Sequence, residues 1–228
     1  MLVQIYAIKT IQEAQLCIDA GADRFGVVVG EAGKTPDETN HDQARVIFQA
    51  TPPAYPKMAL TVETEIDAIE KMVRETGAEI LHLSGDIHKL PPEGVQKLRD
   101  DLQGVQVVQA IPVFGPGAIE LALAYQDVID VCFLDSKDPN VEVIGATGAV
   151  HDWSISRQIV EKLRIPVILA GGLSPENVAQ AIAAVRPWGV DSNSYTNIPG
   201  TWDKDPDRVL RFVQAAKGTA GDKPDGFT

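Results

Sequence analysis

Asp135 closes the apolar run Val131-Cys-Phe-Leu134. A carboxyl at the tip of such a strand is partly desolvated, which raises its pKa and suits it to general acid work near neutral pH. An N-cap, or an ion pair with Lys137, is its other use. His82 and Asp86 end an earlier apolar run, and His151 with Asp152 ends a long loop. An imidazole there could exchange a proton at physiological pH, or serve as a polar ligand contact or loop hydrogen bond. Tyr6 follows the first apolar run; an ordinary phenol with a pKa near 10 is a poor base, so Tyr6 either walls a pocket or needs activation. Lys9 and Lys137 could form Schiff bases if desolvated.

A second group of residues points to anion binding rather than proton transfer. In Ile165-Pro-Val-Ile-Leu-Ala-Gly-Gly-Leu-Ser-Pro-Glu-Asn-Val178, an apolar run meets Gly171-Gly172 and then a helix start. Ser174 fits the N-cap, Pro175 the first helical position and Glu176 the positive helix end. Paired glycines let backbone N–H groups approach a ligand, and a helix N-terminus favours an anion. Gly189-Val-Asp191 leads likewise into Ser192, Asn193 and Ser194. Side by side, these two strand ends would form a phosphate cup. Alone, the glycines could simply turn a strand into a helix.

The elements that must position these residues alternate along the chain. Apolar runs at 2–8, 22–29, 57–62, 79–83, 105–111, 128–134, 166–170 and 189–191 are each followed by a helical pattern. The helices span 10–20, 42–50, 65–76, 93–102, 117–125, 154–163, 176–185 and 206–216. Thr10 with Glu13 reads as a capping box. Strands that are apolar throughout fit a parallel sheet covered on both faces. Eight strand–helix units with no linker favour a closed (β/α)8 TIM barrel over an open α/β sheet, as one domain over residues 1–217. Residues 218–228 are Gly, Asp and Lys rich without apolar periodicity and read as a disordered tail. In such a barrel the strand C-termini and following loops form the active face, and the loops after strands seven and eight are neighbours that commonly hold phosphate. The long loop with Thr147 and Gly148 could close as a lid.

Composition narrows the partners. A net charge of -12 argues against a nucleic-acid surface, although a local cup can still oppose the global field and bind a small anion. No apolar run approaches the roughly 20 residues of a membrane span. The first residues lack a signal peptide's basic region and long apolar core. Cys17 and Cys132 lie in apolar segments and read as buried thiols in a reducing compartment, so the expected location is the cytoplasm. No Cys/His cluster has metal spacing, and no cofactor is expected. The expected partner is a small phosphorylated sugar, with the chain a monomer or homodimer.

Assembled in order, these motifs resemble the phosphoribosylanthranilate isomerase family of ribulose-phosphate-binding barrels. Phe133-Leu-Asp-Ser136 resembles the family's strand-six Leu-Leu-Asp-Ser/Thr, and Gly145-Ala-Thr-Gly148 with Asp152-Trp153 its Gly-Gly-Thr-Gly…Phe-Asp-Trp. The Pro166–Val178 stretch and Arg186-Pro-Trp-Gly-Val-Asp191 match almost residue for residue. The resemblance implies an Amadori rearrangement of an aldose amine to a ketose amine on a ribose phosphate, in the tryptophan pathway. It implies that Asp135 is the general acid that opens the sugar ring, and that Gly171, Gly172, Ser192 and Ser194 hold the phosphate.

The first half departs from that pattern. Where the family opens with Lys-Ile-Cys-Gly and uses the Cys as base, this chain has Gln4-Ile5-Tyr6-Ala7. Where the family has Ser-Pro-Arg, whose Arg recognises the substrate carboxylate, Thr35-Pro36-Asp37 stands here. His82-Leu-Ser-Gly85 replaces Gln-Leu-His-Gly, and Asn193-Ser-Tyr195 replaces Ser-Ser-Gly. Losing a bidentate Arg and gaining a like charge each disfavour a carboxylate by a few kcal/mol. The expectation is a sugar-phosphate isomerase that keeps the ribose-phosphate half of the substrate, with Tyr6, His82 or His151 as base. The alternatives are a non-catalytic binder of phosphorylated ligands and a Schiff-base lyase on a keto-phosphate.

Overall fold

The computed structural model describes residues 1–31, 33–136 and 152–218. Strands and helices alternate as β1 (Leu2–Ile5), α1 (Ile11–Asp19), β2 (Arg24–Val28), α2 (His41–Ala50), β3 (Met58–Thr61), α3 (Ile66–Thr76), β4 (Ile80–Leu83) and α4 (Pro92–Asp101). They continue as β5 (Gln106–Pro112), α5 (Gly117–Tyr125), β6 (Val131–Asp135), α6 (Trp153–Lys162), β7 (Val167–Leu169), α7 (Val178–Val185), β8 (Gly189–Ser192) and α8 (Pro206–Gly218). Every strand pairs in parallel with its neighbours, and β8 pairs with β1, so the sheet closes into a (β/α)8 barrel. β2 and β4 are buried at every residue, which explains their unbroken apolar sequence: one face packs inside the barrel and the other under helices. Among the described residues no helix is long and apolar enough to cross a membrane.

The helices obey local rules with informative exceptions. α3 buries Ile69, Met72, Val73 and Thr76 along one face and ends at Gly77, whose N–H bonds to the Val73 carbonyl. Asn40 and Gln43 form a complete capping box, which starts α2 one residue earlier than its apolar pattern suggests. The box expected at Thr10 is only half made. Thr10 Oγ1 accepts from the Glu13 N–H, but the Glu13 carboxylate accepts from the Lys9 and Lys204 main-chain N–H groups instead. At α7, Ser174 Oγ accepts from the Glu176 N–H, yet residues 175–177 form a turn and regular helix begins at Val178. Asn177 causes this: its side chain bonds Ser174 N–H and Gly172 C=O, folding the turn onto the glycines.

Register decides what faces the interior. Partners across a parallel sheet share a face, and the face alternates along each strand. Gln4 aligns with Arg24 and Asp191, Met58 with Gly26 and Ile80, and Leu60 with His82. Phe133 aligns with Ala110 and Ile168, and Asp135 follows two residues later on the same face. Gln4, Tyr6, Met58, His82, Phe133, Asp135 and Asp191 therefore share the interior, with Asp135 at the C-terminal mouth.

Candidate active site

Asp135 ends β6 half-buried at that mouth. Burial pushes its carboxyl up to about 7, and the Ser136 N–H donating to Oδ1 at 2.7 Å only partly offsets this. An acid with that pKa is about half protonated at neutral pH and can release its proton to a substrate. Inside the barrel from it lies Asp191, a residue not singled out from the sequence as chemistry. Asp191 is buried, accepts a hydrogen bond from Gln4 Nε2 at 3.1 Å, and is pushed well above the usual carboxylate range by burial and then by the charge of Asp135. The available signal was β8's alternation, which turns Gly189 and Asp191 inward together.

The loops after β7 and β8 build the anion cup. Gly171 and Gly172 take left-handed backbone, φ 80 and 66. At Gly171 an added Cβ would lie 2.3 Å from Ser136 Oγ and 2.9 Å from Ser136 N, so the chain turns there with no room for a side chain. Among the described residues, the N–H groups of Gly171, Gly172, Asn193 and Ser194 make no hydrogen bond. Four free donors in two adjacent loops form a ready acceptor site for phosphate oxygens. The Ser192 hydroxyl is not among them: it is buried and donates to the Leu173 carbonyl at 2.7 Å, stapling one loop to the other. Ser194 is exposed at the start of a short 3₁₀ turn, Ser194–Thr196. Asn193 donates from Nδ2 to Asp37 Oδ2 at 3.2 Å, so Asp37 lies buried against the cup rather than pointing at an open pocket.

Tyr6 and His82 are brought together but inward. Tyr6 Oη is 2.7 Å from His82 Nδ1 and 2.7 Å from Met58 Sδ, and Phe133 packs against both rings. The Tyr6 ring lies across Gly26, where an added Cβ would fall 2.0 Å from the ring. Burial lowers the His82 pKa to about 3 and raises that of Tyr6 well above its ordinary value. His82 is neutral and Tyr6 protonated across the working pH range, so burial strengthens neither as a proton acceptor. His82 Nε2 has no hydrogen-bond partner among the described residues.

The remaining candidates are dispersed. Lys9 pairs with Asp203 at 2.7 Å, so it is not a desolvated amine. Asp86 accepts from the His88 N–H, and Asp152 caps α6 through the Ser154 N–H. Lys137, Thr147, Gly148 and His151 lie outside the described residues, as does 219–228. Sequence reasoning also missed Lys204, which is buried between the loop after β8 and α1 and whose Nζ donates to Asn193 and Asn197. Its place in a polar, Gly- and Asp-containing loop gave no sign of burial.

The family model described as N-(5'-phosphoribosyl)anthranilate (PRA) isomerase matches residues 3–215. This chain belongs to the phosphoribosylanthranilate isomerase family. It is 35% identical over 217 residues to N-(5'-phosphoribosyl)anthranilate isomerase 2 of Methanosarcina mazei, covering 95% of this chain and 94% of that protein. The phosphoribosyl anthranilate isomerase structure from Thermotoga maritima superposes with a TM-score of 0.81 at 29% identity, over 96% of this chain and 99% of that one. A phosphoribosyl anthranilate isomerase solved with reduced 1-(o-carboxyphenylamino)-1-deoxyribulose 5-phosphate superposes at 0.77, with 28% identity over 96% and 100% of the two chains. Within the phosphoribosylanthranilate isomerase family this chain thus keeps the whole barrel, with Asp135 at the end of β6 and paired glycines after β7.

Proposed function

We infer that this chain is a phosphoribosylanthranilate-isomerase-like sugar-phosphate isomerase, with a phosphorylated ribosylamine as substrate and Asp135 as the general acid. The observation that carries the reading is a carboxyl at the mouth of the barrel raised to about 7, with four N–H donors in the neighbouring loops that are unpaired among the described residues. The cup takes the phosphate through Gly171, Gly172, Asn193 and Ser194, and the sugar then reaches toward Asp135. Asp135 gives its proton to the furanose ring oxygen as the amine lone pair forms C=N⁺ and the C1–O bond breaks. Loss of the C2 proton to solvent at the mouth yields an enolamine, and return of a proton to C1 as the C2 hydroxyl gives up its own yields the C2 ketone. The complexed relative binds a phosphorylated deoxyribulose with a carboxyphenylamino group, so the same substrate class suits this cup. Asp37 helps position the cup through Asn193 and brings no cation for an aromatic carboxylate. The buried free thiols suit a reducing cytoplasm.

One observation favours a second reading, a phosphorylated-ligand binder without turnover: Tyr6 and His82, which occupy the interior near the position of the family's base, are poorly tuned to accept the C2 proton. Loss of phosphoribosylanthranilate fluorescence on adding purified protein separates the two. Turnover that falls about 10²–10⁴-fold in Asp135→Asn is the expected result. Tight binding of the product analogue with no turnover in the unmodified protein would establish the binder instead.

A further inference from the structure

Lys204 is 4% exposed, yet among the described residues it forms no salt bridge and none of its ammonium's hydrogen-bond acceptors is a carboxylate. Nζ donates to Asn197 Oδ1 at 2.6 Å, Asn193 Oδ1 at 3.0 Å and the Asn193 carbonyl at 3.3 Å. The nearby carboxylates are occupied elsewhere. Glu13 of α1 binds the main-chain N–H groups of Lys204 and Lys9, Asp191 of β8 binds Gln4, and Asp37 of the loop after β2 binds Asn193. A buried ammonium held only by amide oxygens is costly to desolvate and strongly favours an added negative charge nearby. The residue that it grips, Asn193, is the one whose free N–H opens the β8 half of the cup. Asn193 is therefore fixed from both sides, by Lys204 at Oδ1 and Asp37 at Nδ2.

We propose that Lys204 is the positioning residue and buried counter-charge of the anion site, holding Asn193 so that its N–H and that of Ser194 converge on a phosphate monoester. The inference rests on the reading that the loops after β7 and β8 bind phosphate. Lys204 does not touch the ligand. It acts through Asn193 and through its field, which the low-dielectric surroundings leave poorly screened. Burial lowers its pKa to about 8; of the acidic groups around it, Cys17 is itself pushed up to about 12 and stays a neutral thiol, while Asp191, Glu13 and Asp37 oppose the shift. The field therefore weakens as pH rises through about 8, while a phosphate monoester with a second pKa near 6 stays a dianion.

Calorimetric titration with ribose 5-phosphate tests this. In the unmodified protein, affinity should fall about threefold or more between pH 7 and pH 9.5. Lys204→Gln should bind at least about tenfold more weakly at pH 7 and lose the pH dependence, with its melting transition and circular dichroism establishing that it is folded. If the unmodified protein binds no ribose 5-phosphate, the phosphate reading falls and the inference with it. Should Lys204→Gln bind as tightly as the unmodified protein, only the role of Lys204 is overturned. If Lys204→Gln does not fold, the same titration in Asp135→Asn, which removes the carboxyl that also ionises over that range, decides the matter: an affinity independent of pH overturns the proposal, and a decline that persists sustains it.

Discussion

At the scale of single residues, Asp135 ties activity and stability to pH with the same sign. As a general acid it works while protonated, so kcat/KM should decline as pH rises through about 7. A pH–rate profile checks this, and a rate that instead rises through pH 7 would remove Asp135 as the acid. The same carboxyl is raised in the folded state above its unfolded value near 3.9, so the folded protein binds the extra proton between about pH 4 and 7. Its contribution therefore falls across that window and stays lost above it. Asp191 adds a slope of the same sign. Asp135→Asn should melt higher than the unmodified protein at pH 8, an exchange of function for stability at a buried charge. Tyr6 supplies a second residue-scale prediction. Gly26→Ala forces the Tyr6 ring out of place and should cost about 1–3 kcal/mol. In the Tyr6→Ala background the same change should cost much less, and additive effects in urea unfolding would refute the contact.

At the scale of elements, the loop after β7 carries the tightest constraint in the site. Gly171→Ala meets both a left-handed backbone and a 2.3 Å approach to Ser136 Oγ. It should destabilise by about 2 kcal/mol or more and weaken phosphate binding together, whereas Gly33→Ala, left-handed in open space, should cost only about 1 kcal/mol. Comparing the two by chemical denaturation separates steric from conformational cost. The glycines of this loop were readable in sequence because they are a local signal: a strand, a turn without side chains and a polar start. Asp135 was readable for the same reason. Lys204 and the inward pairing of Tyr6 with His82 were not, because each depends on partners far along the chain: Glu13 lies 191 residues from Lys204, and His82 lies 76 from Tyr6. The bond from the Ser192 hydroxyl to the Leu173 carbonyl was likewise not readable, since it joins two loops 19 residues apart.

At the scale of the whole molecule, the alternation read from sequence is the barrel that forms, because eight equivalent strands can satisfy their edges only by closing. Closure is completed by β8 on β1 and covered by α8, whose Val209, Phe212 and Val213 are buried. Phe212→Ala should lose about 3–5 kcal/mol in equilibrium unfolding. A loss under about 1 kcal/mol would mean that α8 contributes little to holding the barrel shut.

The same seam bears on how the protein is made. Gln4 reaches Asp191 across 187 residues of chain, and Glu13 reaches Lys204 across 191. β1 therefore waits for β8 and the loop that follows it before these contacts and the β8 half of the anion site can form. Contacts of such separation are slow to form and late to be rewarded. A partial barrel in a crowded cell would offer sugar phosphates no completed cup, while a finished one would be stabilised by them. Ligand present during refolding should therefore raise the yield at the final step and leave the early phases unchanged.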